Sequence, residues 1–195
     1  MIRVEVTNHS RKKTSLHSAD LSSCDYGSLL QHESWKVPIL AVGWLERFRR
    51  YRKGVVEDEI VERAELFREQ TSENFSGFIF RGLHGCSLCL GGSSRSGIKG
   101  SHVNLLIPGE DCVYVASGGL VHYMTKHSYR PPDEFIEALK SCPLPDTEEY
   151  KLNLIKSNRG VRPSYLWTDD ELFPELAKLR RSEQAVPPKS DRAGG

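Results

Sequence analysis

The stretch Phe78-Ile-Phe-Arg-Gly-Leu-His84-Gly-Cys86-Ser-Leu-Cys89 leads into a glycine- and serine-rich turn and an extended block from Val103 to Ala116. It then closes with Gly119-Leu-Val-His122-Tyr-Met-Thr-Lys-His127 and Tyr129-Arg-Pro-Pro132. Two cysteines in C-x2-C spacing followed by two histidines in H-x4-H spacing make up the donor set of a tetrahedral zinc site. A tight turn at C-x2-C brings both sulfurs to one side, and Gly85, Gly91 and Gly92 permit the backbone angles such a turn needs. We therefore expect Cys86, Cys89, His122 and His127 to ligate one structural zinc, with His84 and His102 as spare ligands or as hydrogen-bond partners to a ligand. The alternative is that the cysteines are small core residues and the histidines lie on a helix surface.

Around this stretch the expected fold is α+β. Val103, Leu105 and Ile107 alternate with Asn104, Leu106 and Pro108, Pro108-Gly109 is a turn signal, and Val113-Tyr-Val115 returns as a strand. That pattern reads as a small antiparallel β-meander packed with helices on one side, the zinc joining hairpin to helix. Ser117 is a candidate cap for a helix over 118–127. On an ideal helix five positions are about 500° of rotation, so His122 and His127 share a metal only if the last turn loosens. Pro131 and Pro132 start the next helix, whose buried stripe is Phe135, Ile136 and Leu139.

Upstream, Ile39 to Val42 make a short buried strand, with a bend at Gly43. Val55 to Gln70 is helical, with Ile60, Ala64 and Phe67 at helical spacing and Glu57, Asp58 and Glu59 in the first turn. Between them Arg47, Arg49, Arg50, Arg52 and Lys53 interleave with Phe48 and Tyr51. Such a run binds a nucleic-acid backbone and stacks on bases, or forms an exposed loop whose two aromatics turn inward. The sequence divides into a polar segment with a short strand (1–33), the zinc-stapled core (34–145), a strand and helix extension (146–182) and a disordered tail (183–195). In the extension, Lys151 to Ile155 read as a strand, and Thr168-Asp-Asp-Glu171 is a capping box before a helix.

Composition limits the function classes. The chain has 195 residues, 38% of them hydrophobic and 27% charged, as in a globular domain with tails. Its 27 basic and 26 acidic residues leave a net charge of +1, so no global field attracts a polyanion. No apolar run spans a bilayer, the start lacks the apolar core of a secretory signal, and five cysteines fit reduced cytosolic thiols.

The elements Phe80-Arg-Gly, His84, Cys86, Cys89, Ile107-Pro-Gly109, Val113-Tyr-Val-Ala116, Leu120-Val-His122-Tyr, His127 and Tyr129-Arg-Pro-Pro132 with Glu134-Phe135 form one pattern. Together with Ala41-Val-Gly-Trp-Leu-Glu46, they resemble a family of uncharacterised bacterial proteins over 38–143. The resemblance implies small cytosolic proteins with this ligand set and supplies no activity.

Three functions follow from these residues. The first is a non-enzymatic zinc-stapled protein that binds another protein, an immunity or accessory protein for example, because two thiolates and two imidazoles leave no open metal position. The second is nucleic-acid binding through Arg47, Arg49, Arg50, Arg52 and Lys53. The third is an enzyme, with a catalytic zinc or with Cys86 or Cys112 as nucleophile and His84 or His102 as base; no local pattern supports it.

Overall fold

The structure, a computed structural model, describes residues 18–24, 35–74, 85–89, 98 and 102–163. Three strands form one sheet: β1 (Ile39–Val42), β2 (Asn104–Pro108) and β3 (Val113–Ser117), in the order β1-β3-β2. β2 and β3 are the expected antiparallel hairpin, with Leu106 opposite Val115. β1 joins the other edge of β3 in parallel, Leu40 opposite Tyr114, so the α+β fold is built on a mixed sheet rather than a purely antiparallel meander. The physical reason is the connection. A parallel neighbour requires a long crossover, and the segment from β1 to β3 includes a 17-residue helix.

That helix, α1 (Asp58–Asn74), places Asp58 and Glu59 in its first turn, where they favour the positive end of the helix dipole. Its buried stripe is Ile60, Ala64, Phe67 and Thr71. Helices α2 (Leu120–His127), α3 (Asp133–Ser141) and α4 (Glu148–Ser157) follow β3. α1 contacts β2, α2 and α3, while α3 and α4 both contact β2. Edge-to-face ring pairs tie these layers, Phe67 with Tyr150 at 5.6 Å and Tyr114 with Phe135 at 5.8 Å.

The alternation read over 103–107 does not divide β2 into a wet and a dry face. Asn104 and Leu106 are as buried as Leu105 and Ile107, and Tyr150 of α4 donates to the Leu106 carbonyl at 2.8 Å. Residues 151–155, read as a strand, lie inside α4. Thr147 caps that helix, its hydroxyl accepting the Tyr150 amide at 3.1 Å, and Tyr150 and Leu154 are buried at i, i+4 spacing. Segment 18–24 runs along β1, exchanging backbone bonds between Leu21 and Ala41, Cys24 and Ile39, and Ala41 and Ser22. The strand expected at residues 2–6, the strand at 78–80, the turn at 93–101 apart from Ile98, and the helix after Thr168 lie outside the described residues.

Candidate metal centre

The structure brings Cys86, Cys89, His122 and His127 together from two elements distant in sequence. Their donor atoms all lie within 4.8 Å of one another. Cys86 Sγ is 3.2 Å from His127 Nε2, and Cys89 Sγ is 3.4 Å from His122 Nε2 and 3.3 Å from His127 Nε2. The two ring nitrogens are 3.2 Å apart.

Local chain geometry explains how each pair converges. In the Cys86–Cys89 turn the backbone amides of Cys89 and Leu88 favour the Cys86 thiolate, which opposes the effect of burial on that thiol. The Ser87 hydroxyl accepts the Arg47 amide at 2.8 Å, which ties the turn to the segment after β1. The N-cap of α2 is Gly119 rather than Ser117, whose hydroxyl instead accepts the Gly119 amide at 3.2 Å. At the other end the Ser128 amide reaches back to the Tyr123 carbonyl, five residues away, and Ser128 takes left-handed angles (φ 50°, ψ 33°). A five-residue return widens the last turn. This is the loosening that lets two histidines five apart face one point.

The donor set suits a divalent cation better than it suits itself. His127 Nε2 has three close polar neighbours, yet a neutral ring nitrogen offers one proton or one lone pair. A single cation among the four donors removes that mismatch. With metal–sulfur bonds of about 2.3 Å and metal–nitrogen bonds of about 2.05 Å, a tetrahedron sets sulfur–nitrogen separations near 3.6 Å and nitrogen–nitrogen separations near 3.3 Å. The three sulfur–nitrogen spacings and the nitrogen–nitrogen spacing given above lie within about 0.4 Å of those values. Two thiolates would also balance a divalent charge at a site where Cys86 is fully buried.

Electrostatics agrees with this. Burial pushes the Cys86 thiol up, opposed by the two turn amides and reinforced by Cys89 beside it. Burial, then His127, then Lys126 hold His122 below the ordinary histidine range; burial, then Lys53, do the same for His127. Both rings are therefore held neutral with a lone pair to give, whereas a metal must displace the Cys86 proton. Tyr123, packed beside the histidines, is raised by its own burial and then by the two cysteines.

Among the described residues His102 does not join the group, and its buried Nδ1 has no hydrogen-bond partner. His84 lies outside the described residues. Cys112 is half-buried beside Tyr114, and burial raises its thiol; no histidine bonds to it among the described residues. All five cysteines are free.

The cationic run is split by the structure. Arg52 is spent on α3, donating to Asp133 Oδ2 at 2.8 Å and to the Pro131 carbonyl at 3.4 Å. Arg47, Arg49, Arg50 and Lys53 are exposed. Of the two aromatics, Tyr51 turns in, edge-on to Tyr129 at 6.2 Å, whereas Phe48 turns out and is 91% exposed. No sequence signal separates these two rings, because both sit between cations.

A family model described as a domain of unknown function, DUF7919, matches residues 16–140. The chain belongs to the DUF7919 family. The matched region takes in segment 18–24, the whole sheet, both cysteines and both histidines, and ends inside α3. No curated protein and no solved structure matches the chain. Family membership thus supports an uncharacterised domain and adds no activity. Among the described residues no helix is long and apolar enough to cross a membrane.

Proposed function

We propose that this protein is a non-enzymatic binding domain whose shape is held by one structural zinc at Cys86, Cys89, His122 and His127. The observation that carries the reading is that all four donors come from the chain and converge within 4.8 Å. Catalytic zinc sites keep a position for water or substrate, whereas structural sites are closed by four side chains, typically cysteines and histidines. Zinc suits two soft thiolates and two imidazoles. Reduced thiols at such a site fit a cytosolic location.

Another protein and nucleic acid are the two partner classes for a domain of this kind. Among the described residues the large exposed apolar side chains are Leu66 on α1, Leu152 on α4, and Phe48 and Val55 in the loop before α1. Arg47, Arg49, Arg50 and Lys53 stand exposed in the loop joined to the metal centre and favour an anionic partner. The test of the zinc reading is metal content of the purified protein by mass spectrometry, with Cys86→Ala as control. One zinc per chain, lost in the variant, is the expected result; a metal-free wild type that is fully folded would overturn it.

A further inference from the structure

The loop 47–54 connects β1 to α1 and is stitched to both halves of the metal centre. At its start the Arg47 amide donates to Ser87 Oγ in the cysteine turn at 2.8 Å. At its end the Gly54 amide donates to the Ser128 carbonyl at 2.9 Å, and the Arg130 amide to the Arg52 carbonyl at 3.1 Å, just after His127. Between these anchors the loop carries five cations and no acid. Arg52 is neutralised by Asp133; Arg47, Arg49, Arg50 and Lys53 make no ion pair among the described residues. Lys126, on the last turn of α2, adds a further exposed cation beside the site.

Phe48, in the turn from Glu46 to Arg49, has two unusual properties. It is 91% exposed, the most exposed large apolar residue described. It also has φ 69°, in the left-handed region where a bulky side chain is a genuine outlier. The Arg49 amide holds the turn by donating to the Glu46 carbonyl at 3.2 Å, and the Arg47 guanidinium lies over one face of the Phe48 ring at 4.8 Å. Stability alone would favour glycine here, both for the backbone and to avoid showing a phenyl ring to water. A ring kept in place at that expense is one whose face is used.

We propose that the loop 47–54 is a binding site for single-stranded nucleic acid, with a base stacking on Phe48 and Arg49, Arg50 and Lys53 contacting the phosphates. A flat aromatic face flanked by unpaired cations matches the chemistry of an unpaired base on a phosphodiester chain. A duplex matches it less well, since its bases are already stacked on one another and offer no free face to the ring. The proposal names the partner class for the zinc-held domain and rests on that reading only in that the metal centre anchors both ends of the loop.

The test is fluorescence anisotropy with labelled single-stranded DNA, single-stranded RNA and duplex DNA, on protein whose zinc content has been measured. Binding to single strands should be tighter than to duplex and should weaken as salt rises. For about three phosphate contacts the slope of log affinity against log salt is about −2 on single strands. Phe48→Gly should lose about tenfold or more in single-strand affinity while its thermal midpoint stays level or rises. Arg49→Ala with Arg50→Ala should flatten the salt slope by about 1.4. No binding by zinc-replete protein at low salt, equal affinity for duplex, or an unchanged affinity in Phe48→Gly would overturn the site. So would loss of binding to a base-free polyanion equal to the loss on single strands in Phe48→Gly. Zinc-replete protein that fails to bind sinks this site alone. Binding by folded, metal-free protein supports the site and sinks the zinc reading.

Discussion

The phenol of Tyr129 donates to Asp20 Oδ1 at 2.8 Å, across 109 positions of sequence, and the same oxygen accepts the Gly43 amide at 3.0 Å. One carboxylate thus ties segment 18–24 both to the bend after β1 and to the residue that follows the C-cap of α2, the helix carrying His122 and His127. Tyr129 is fully buried, so its hydroxyl has no water to fall back on. Tyr129→Phe should cost about 1.5–3 kcal/mol, the worth of a hydrogen bond to a charged acceptor that still keeps the Gly43 amide. Asp20→Ala should cost more, because it strands two donors instead of removing one. Chemical denaturation of both variants checks the order; a larger loss in Tyr129→Phe would contradict it.

Burial also sets how the fold meets alkaline pH. Tyr114, Tyr123, Tyr129 and Tyr150 are all raised above the ordinary tyrosine range, in each case first by burial. In the unfolded chain they titrate near pH 10. Above that pH the unfolded state holds fewer protons than the native state, so stability falls as pH rises. Below it these groups contribute a constant amount. Unfolding free energy should therefore be insensitive to tyrosine ionisation from pH 7 to about 9 and drop above about 10. Tyr129→Phe should fall less steeply over the upper range. A parallel decline in variant and wild type would remove Tyr129 from the account.

That Cys86, Cys89, His122 and His127 come together was legible because their spacing is itself chemistry: C-x2-C and H-x4-H need no knowledge of partners. So were Ile60, Ala64 and Phe67 on α1, and Phe135, Ile136 and Leu139 on α3, all buried as their period demands. What periodicity cannot carry is which strand lies beside which. Ile39 to Val42 read as a strand, but its parallel seat against β3 depends on the crossover through α1. The Asp20–Tyr129 bond is invisible for the same reason, since a lone aspartate in a polar segment has no pattern. The misreading of 151–155 had a remedy in the sequence. Leu152 and Leu154 alternate like a strand, yet Thr147 followed by Glu148 and Glu149 is a helix start, and capping chemistry outweighs a short alternation.

If the four donors hold a structural metal, removing the metal and removing a ligand should be equivalent. A chelator should lower the thermal midpoint of the wild type to that of Cys89→Ala, and should leave Cys89→Ala unmoved. A loss on the order of 3–5 kcal/mol would lower the midpoint by roughly 10 °C in a chain of this size. Cobalt substitution supplies an independent readout, because a tetrahedral set of two sulfurs and two nitrogens gives intense visible bands that a water-containing octahedral site lacks. Differential scanning fluorimetry with and without chelator decides the matter: a chelated wild type that keeps its midpoint after verified metal loss leaves the four side chains without a structural role.

Two left-handed residues lie at the two ends of α2, and they should respond to substitution with opposite signs. Gly43 has φ 68°, and a Cβ there would lie 3.1 Å from Leu120 Cδ1, at the first turn of α2. Gly43→Ala therefore meets both backbone strain and a crowded neighbour, for a loss of about 1–3 kcal/mol. Ser128 has φ 50° in the turn that closes α2, is exposed, and makes its backbone contact to Tyr123 without using its side chain. Glycine adopts that conformation without penalty, so Ser128→Gly should gain about 0.5–1 kcal/mol. Because the left-handed turn is kept, metal content should stay at the wild-type level in Ser128→Gly. Equilibrium unfolding together with metal analysis separates the outcomes: a gain in stability with loss of metal would mean that the serine side chain, and not the turn it occupies, positions His127.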